Sequence, residues 1–421
     1  MTTTEAIVPY YVKGVALGVP IFLTAIQLWT WLLFMPGMVR TGTVDFRQAY
    51  AAAYMLRSGR RTALYSYAAQ EKMQTQVVMP ATTPLPYVAP AYEAFLLQPF
   101  SYLTFRNAYL SFVLLNAAAL VACFLALRPW MDNITHVYWW LPIALFTGFL
   151  PLAAALIQGQ DSIFLTLLLA AAYRSALKGG DAMAGALTGL ALFKFSIVLP
   201  IAILLLLWRR WRFVAGFCVS AVAVALGCLA ITGIAGQRQY ILLIFSLAGI
   251  HHPPVQLATY PVHWSLMANV HGLTYGLLHR WIGTQQISLI ALAVAAILLT
   301  LVGLSAQRVN DTGTLLLLAI PAALLASHHS YIHDLSPLII PVVVMLNRFL
   351  PNEGNDGFSK LQVRSTALLF VAPVVYSYAT QEFWIVSLII VLFLLSVCRA
   401  DFEQTTPVKS HLHPHDAVPG I

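Results

Sequence analysis

The sequence predicts an all-α membrane protein, a polytopic bundle of roughly twelve transmembrane helices counting a short hairpin as two. Three observations predict it. Of 421 residues, 60% are hydrophobic and 9% charged, far less charge than a soluble domain carries. Apolar runs long enough to cross a bilayer, about 20 residues of helix, recur along the chain. Lys and Arg gather between those runs mostly on alternate sides, as the positive-inside tendency requires. Backbone polar groups must be paired inside lipid, so the spans are helices.

The first run, 12–38, exceeds the apolar core of a signal peptide and no small-residue cleavage site follows it, so it reads as a retained span. The residues before it are cytoplasmic on this topology. A polar loop, 40–105, follows outside. A second span, 107–127, returns to Arg128; a third, 137–156, leads out to Gln158-Gly159-Gln160; a fourth, 162–177, comes back to Lys178. Residues 182–208 are apolar but basic at both ends, with Lys178 before and Arg209, Arg210 and Arg212 after. Basic ends on one side imply an even number of crossings. Two short helices folded as a hairpin around Lys194-Phe195-Ser196 satisfy that.

A span over 213–232 goes out, and 233–283 forms a second external region rich in His, Trp, Tyr and Pro. Spans over 287–304, 313–326, 335–349, 365–378 and 383–398 follow, with Arg308, Arg348, Lys360, Arg364 and Arg399 on the inner side. One integral-membrane domain, 1–399, is expected. The tail, 400–421, reads as disordered and cytoplasmic; its His411, His413 and His415 are the alternative reading, a metal-binding tract. Four cysteines, Cys123, Cys218, Cys228 and Cys398, lie in apolar runs with neither metal nor disulfide spacing. The net charge of +8 belongs to the loops. No basic run interleaved with aromatics points to nucleic acid.

The first loop is the longest polar interruption before the tail, and it breaks the positive-inside tendency. It holds Arg40, Arg47, Arg57, Arg60, Arg61 and Lys72 on the outer side. Cations at a membrane surface suit phosphate, whether of lipid headgroups or of a specific substrate. Apolar residues at helical intervals predict an amphipathic helix over 46–56 lying on the membrane, stopped at Gly59. A second short helix is predicted over 67–76. Asp45 stands where an N-cap belongs. It is also the only acid between Glu5 and Glu71, at the depth of a lipid phosphate. The segment 84–95 combines Pro84, Pro86 and Pro90 with Tyr87, Tyr92 and Phe95, either an interfacial aromatic belt or the wall of a sugar or lipid groove.

Asp45 in VDF after the first span, then LYSY, then Pro-Tyr and Pro leading into the second span, resembles glycosyltransferase family 87. Three later stretches fit the same pattern in order: GQDSIFLTLLLAAAYRSALKGGDAMAGALTGLALFK, LLLLWRRWRFVAG and ASHHSYIHDLSPL. The resemblance runs to about residue 341. The chain departs from the family at Val88 and Ala89, where YPP is common, and in the loosely similar YPVHWSLMANVHGL.

The resemblance implies a GT-C fold and transfer of mannose from a polyprenyl-phosphate donor to a lipid or glycan acceptor at the extracytoplasmic face of a bacterial plasma membrane. The lipid-linked sugar is a co-substrate, and no separate cofactor is expected. By the resemblance the family's catalytic Asp falls on Asp45, and its functional His on His333. A carboxylate can serve as general base for an acceptor hydroxyl; inversion needs only one. Arg47, Arg60, Arg61, Arg238 and Lys194 are candidates to steady the leaving phosphate. Lys194 in an apolar segment needs a partner or a wet cavity, and pairing with Asp161 is the structural alternative. Gln160 and Asp161 are candidates for sugar or phosphate contact, as are Tyr87, His329 and Asp334. His329 and His333, four apart, would share a helix face and could hold a metal, but no third ligand is evident and none is expected. The rival reading is a transporter or flippase for an amphipathic lipid-linked substrate; no internal repeat supports it.

Overall fold

A computed structural model describes residues 10–78, 84–247, 263–307, 309–349, 360–379 and 382–404. Every element among them is helical. Each apolar run of the sequence coincides with helix. Five helices are long and apolar enough to cross a bilayer, or seven when each bent pair counts as one span, and four more apolar helices are shorter. The protein is a multi-pass membrane protein on this count and composition.

Helix α1 (Tyr10–Thr41) ends at Gly42, whose φ of 65° reverses the chain. Helices α2 (Phe46–Arg57), α3 (Tyr67–Val77) and α4 (Ala91–Leu96) build the first loop. Helix α2 does not lie on the surface as expected: seven of its twelve residues are buried. Its aromatic side chains explain this, since Phe46 stacks on Phe112 at 4.7 Å and Tyr50 meets Phe105 edge-on at 5.5 Å. The partners sit on α5 (Phe105–Leu127), so the loop is folded down onto the bundle.

After α6 (Asp132–Val137), the third predicted span is two helices, α7 (Leu141–Gly148) and α8 (Leu150–Gln158), bent by 57°. Pro151 has no N–H to continue the ladder, and Phe149 is extended. Helix α9 (Ser162–Leu177) then leads to α10 (Asp181–Leu190) and α11 (Phe195–Leu207), which are bent by 64° across a 3₁₀ turn, Leu192–Lys194. Gly185 lies against the Phe213 backbone and Gly216 against that of Ala182, so the start of α10 touches the start of α12 (Trp211–Leu247). Since α12 begins just after α11 ends, the segment returns to where it began. Small residues permit this backbone approach.

Helix α12 continues beyond its predicted end, through a break at Gly233 with φ 67°, into the expected second external region. Its Tyr240 ring packs on Tyr65 at 4.7 Å, which ties this extension to the first loop. His251 and His252 lie outside the described residues. The remaining helices are α13 (Val270–Leu278), α14 (Thr284–Ser305), α15 (Thr312–Ala326), α16 (Ile339–Phe349), α17 (Lys360–Ala379) and α18 (Trp384–Gln404). Helix α18 enters the segment expected to be a disordered tail, and 405–421 lie outside the described residues. One continuous apolar core joins α5 through α18, with Leu23 of α1; two smaller cores hold the first loop.

Candidate active site

Asp45 occupies the N-cap position of α2 but makes no capping bond there. Its Oδ2 accepts from Gln160 Nε2 at 2.8 Å, and its backbone N–H donates to Gln158 Oε1 at 3.2 Å. Two glutamines flanking Gly159 therefore hold this residue. Gly159 makes it possible. Its φ of 61° ends α8 in the left-handed region, and a Cβ there would lie 2.9 Å from Phe46 Cβ. Tyr109 Oη fixes the same turn by donating to the Ile157 carbonyl at 2.6 Å.

Gln160 is buried and works at both ends. Its Nε2 serves Asp45, while its Oε1 accepts from Lys194 Nζ at 3.4 Å. Lys194 stands in the break between α10 and α11, where the interrupted helix lets its side chain turn inward. Its Nζ lies 2.9 Å from Asp161 Oδ1 and 2.9 Å from Asp334 Oδ1. Asp334 is buried in the 3₁₀ turn Ile332–Leu338 and also accepts from Ser162 Oγ at 3.1 Å and from the Tyr331 backbone N–H at 3.0 Å. His333 Nε2 is 3.5 Å from Asp334 Oδ2. One ammonium thus binds two carboxylates and, through an amide, orients a third.

Glu93 on α4 completes the group. Tyr87 Oη donates to its Oε2 at 3.1 Å. Burial first, then the charge of Asp161, push the Glu93 carboxyl well above the usual carboxylate range. Held neutral, it leaves Asp161 to Lys194.

These groups line one cavity of about 320 Å³. Asp45, Tyr87, Gln160, Asp161, Lys194, His329, His333 and Asp334 all reach it, with Phe46, Phe112, Phe193 and Phe195 as apolar wall. Asp45 Oδ1 has no partner among the described residues. Arg47 does not line the cavity. It is buried, and its guanidinium donates to the Gly42 carbonyl at 3.4 Å. Arg60, Arg61 and Arg238 are exposed and away from it. His329 and His333 share no helix face, because the 3₁₀ turn begins only at Ile332. Among the described residues no cluster of His, Cys, Asp and Glu has the geometry of a metal site.

Sequence reading missed Glu93. The signal was available: an acid between apolar neighbours, three residues after a proline that starts its helix.

An apolar helical bundle that closes over a cavity of interlinked carboxylates, lysine and histidines is a membrane protein built around polar chemistry. The family model for glycosyltransferase family 87 matches residues 87–328, and the chain belongs to that family. It is a membrane glycosyltransferase. The match includes Tyr87, Glu93, Gln160, Asp161 and Lys194, while Asp45, His329, His333 and Asp334 lie outside it. No curated protein and no solved structure matches the chain.

Proposed function

We propose that this glycosyltransferase is an inverting enzyme of GT-C architecture that moves a hexose from a polyprenyl-phosphate donor to a lipid or glycan acceptor. The resemblance in the sequence supports mannose as that hexose, and the extracytoplasmic face of a bacterial plasma membrane as the place of reaction. Asp45 is the general base. Its Oδ1 takes the proton of the acceptor hydroxyl as that oxygen bonds to the anomeric carbon. The bond from that carbon to phosphate oxygen breaks, and the lipid phosphate leaves with the electron pair. Lys194, in the cavity wall, offers its charge to the departing phosphate. His333 and His329 supply N–H donors beside it. Arg47, Arg60 and Arg61 take no part in this reading, because none reaches the cavity.

One observation carries the reading. A carboxylate at a helix start would ordinarily bond backbone N–H groups, yet Asp45 is turned away from its own helix and held by Gln160 with one oxygen left to the cavity. The test is transfer of labelled sugar from polyprenyl-phosphate mannose by purified protein. Asp45→Asn keeps the bond geometry and loses the base, so turnover falls by at least about 100-fold with an unchanged thermal midpoint. Turnover within a few-fold of the unaltered protein would overturn the assignment.

A further inference from the structure

We propose that Trp264, stacked on His271, is a platform for a hexopyranose ring in the same cavity. This rests on the transferase reading above. Trp264 begins a 3₁₀ turn, Trp264–Leu266, and lines the cavity with His328. Its indole lies parallel to the His271 imidazole, with centroids 4.0 Å apart and planes 13° from each other. His271 is buried while Trp264 is partly exposed, so one indole face is covered and the residue still meets the cavity.

The covered face rests on a pinned support. His271 Nδ1 is 3.3 Å from His328 Nδ1, and its Nε2 is 3.3 Å from Ser288 Oγ on α14. Burial first, then the neighbouring His328, pull the His271 pKa down to about 3, so the ring beneath the indole is neutral. His328 stands edge-on to both rings, 6.0 Å from Trp264 and 4.8 Å from His271.

This arrangement suits a sugar. A pyranose has C–H bonds on one face, which lie against an aromatic surface, and hydroxyls around its edge, which polar side chains of the same cavity can meet. A rigid indole contributes contact area with little loss of rotamer freedom. An isoprenoid chain would need only apolar surface and would gain nothing from the polar side chains around it. Donor hexose and an acceptor sugar share the chemistry, and kinetics separate them.

The experiment uses the full chain in detergent, with polyprenyl-phosphate mannose as donor and octyl mannoside as acceptor. Trp264→Phe keeps a π face and stays within about threefold of the unaltered KM values. Trp264→Leu raises one KM about tenfold with kcat little changed. A rise for octyl mannoside assigns the platform to the acceptor, and a rise for the donor assigns it to the donor hexose. If Trp264→Leu moves neither KM, or if Phe and Leu behave alike, the proposal falls. A second measurement does not depend on turnover or on the leucine variant folding. Octyl mannoside and polyprenyl-phosphate mannose are added in turn; at least one alters the emission of the unaltered protein by an amount missing from Trp264→Phe, and equal changes in both proteins with both sugars overturn the proposal. Binding seen this way without any transfer would remove the transferase reading and leave the platform standing.

Discussion

Replacing Lys194 by Met tests whether the carboxylates of the cavity depend on one shared cation. Methionine keeps the apolar stem and removes the ammonium that lies 2.9 Å from both Asp161 and Asp334. Attraction across that distance is roughly 6 kcal/mol in an effective dielectric near 20, before the desolvation of both groups is subtracted. Asp334 is the decisive partner because its side chain is only 3% exposed, against 14% for Asp161. Asp161 is the less deeply buried of the two. Asp334 would be left buried beside a thioether, and removing one partner of a buried pair costs about 3–5 kcal/mol.

The companion change is Asp334→Asn. Its amide oxygen still accepts from Ser162 Oγ or the Tyr331 N–H, the two other donors to this side chain. In the Lys194→Met background it removes the stranded charge. The two changes together therefore destabilise less than their sum, by about 1–3 kcal/mol. Thermal unfolding of purified protein in detergent, at one fixed scan rate, reads this out. Lys194→Met lowers the midpoint by about 6–10 °C, and the double variant recovers several degrees of the summed loss. Midpoint losses that simply add would refute the shared-cation argument and return Lys194 to a lysine that merely faces the cavity.

Three further outcomes follow from the same structure. Gly185→Ala places a methyl group on the Phe213 backbone at the contact of α10 with α12; it costs about 1–3 kcal/mol, visible as a lower thermal midpoint, whereas Gly227→Ala, with open space around it, changes little. Gly159→Ala forces a side chain into the left-handed region and towards Phe46; beyond about 1–2 kcal/mol of stability, it displaces Gln160 and Asp45 and lowers kcat tenfold or more in the transfer assay. Glu93 has its carboxyl raised by burial, so its contribution is complete below the ordinary carboxylate range. It is lost as pH rises through the elevated native value, at up to about 1.4 kcal/mol per pH unit between the two. Thermal midpoints across that window therefore fall more steeply for the unaltered protein than for Glu93→Gln, and parallel curves would contradict the raised value.

Much of the site was legible because charge is expensive in so apolar a chain. Lys194 within an apolar run, Asp161 after Gln158-Gly159-Gln160, and Asp334 after three histidines each demanded a reason. They prove to be one another's reason, which sequence spacing could not reveal across 140 residues between Lys194 and Asp334. Arg47 misled for a definite cause. Proximity to Asp45 along the chain argued for a joint role, but residues two apart at a helix start point to opposite sides, and the guanidinium turns to Gly42 instead. The surface placement of α2 failed likewise, because its periodicity shows an apolar stripe without saying whether lipid or the aromatic side chains of α5 will cover it. The broken pair α10 and α11 stands between these cases. Basic residues at both ends gave the return of the chain to one side, while the glycines that let α10 press on α12 gave the means. That contact also explains where Lys194 is found. A helix continuing straight would carry the lysine along its surface; interruption after α10 releases the side chain toward Asp161 and Asp334, so the close packing at Gly185 and Gly216 bears on where the cation of the cavity sits.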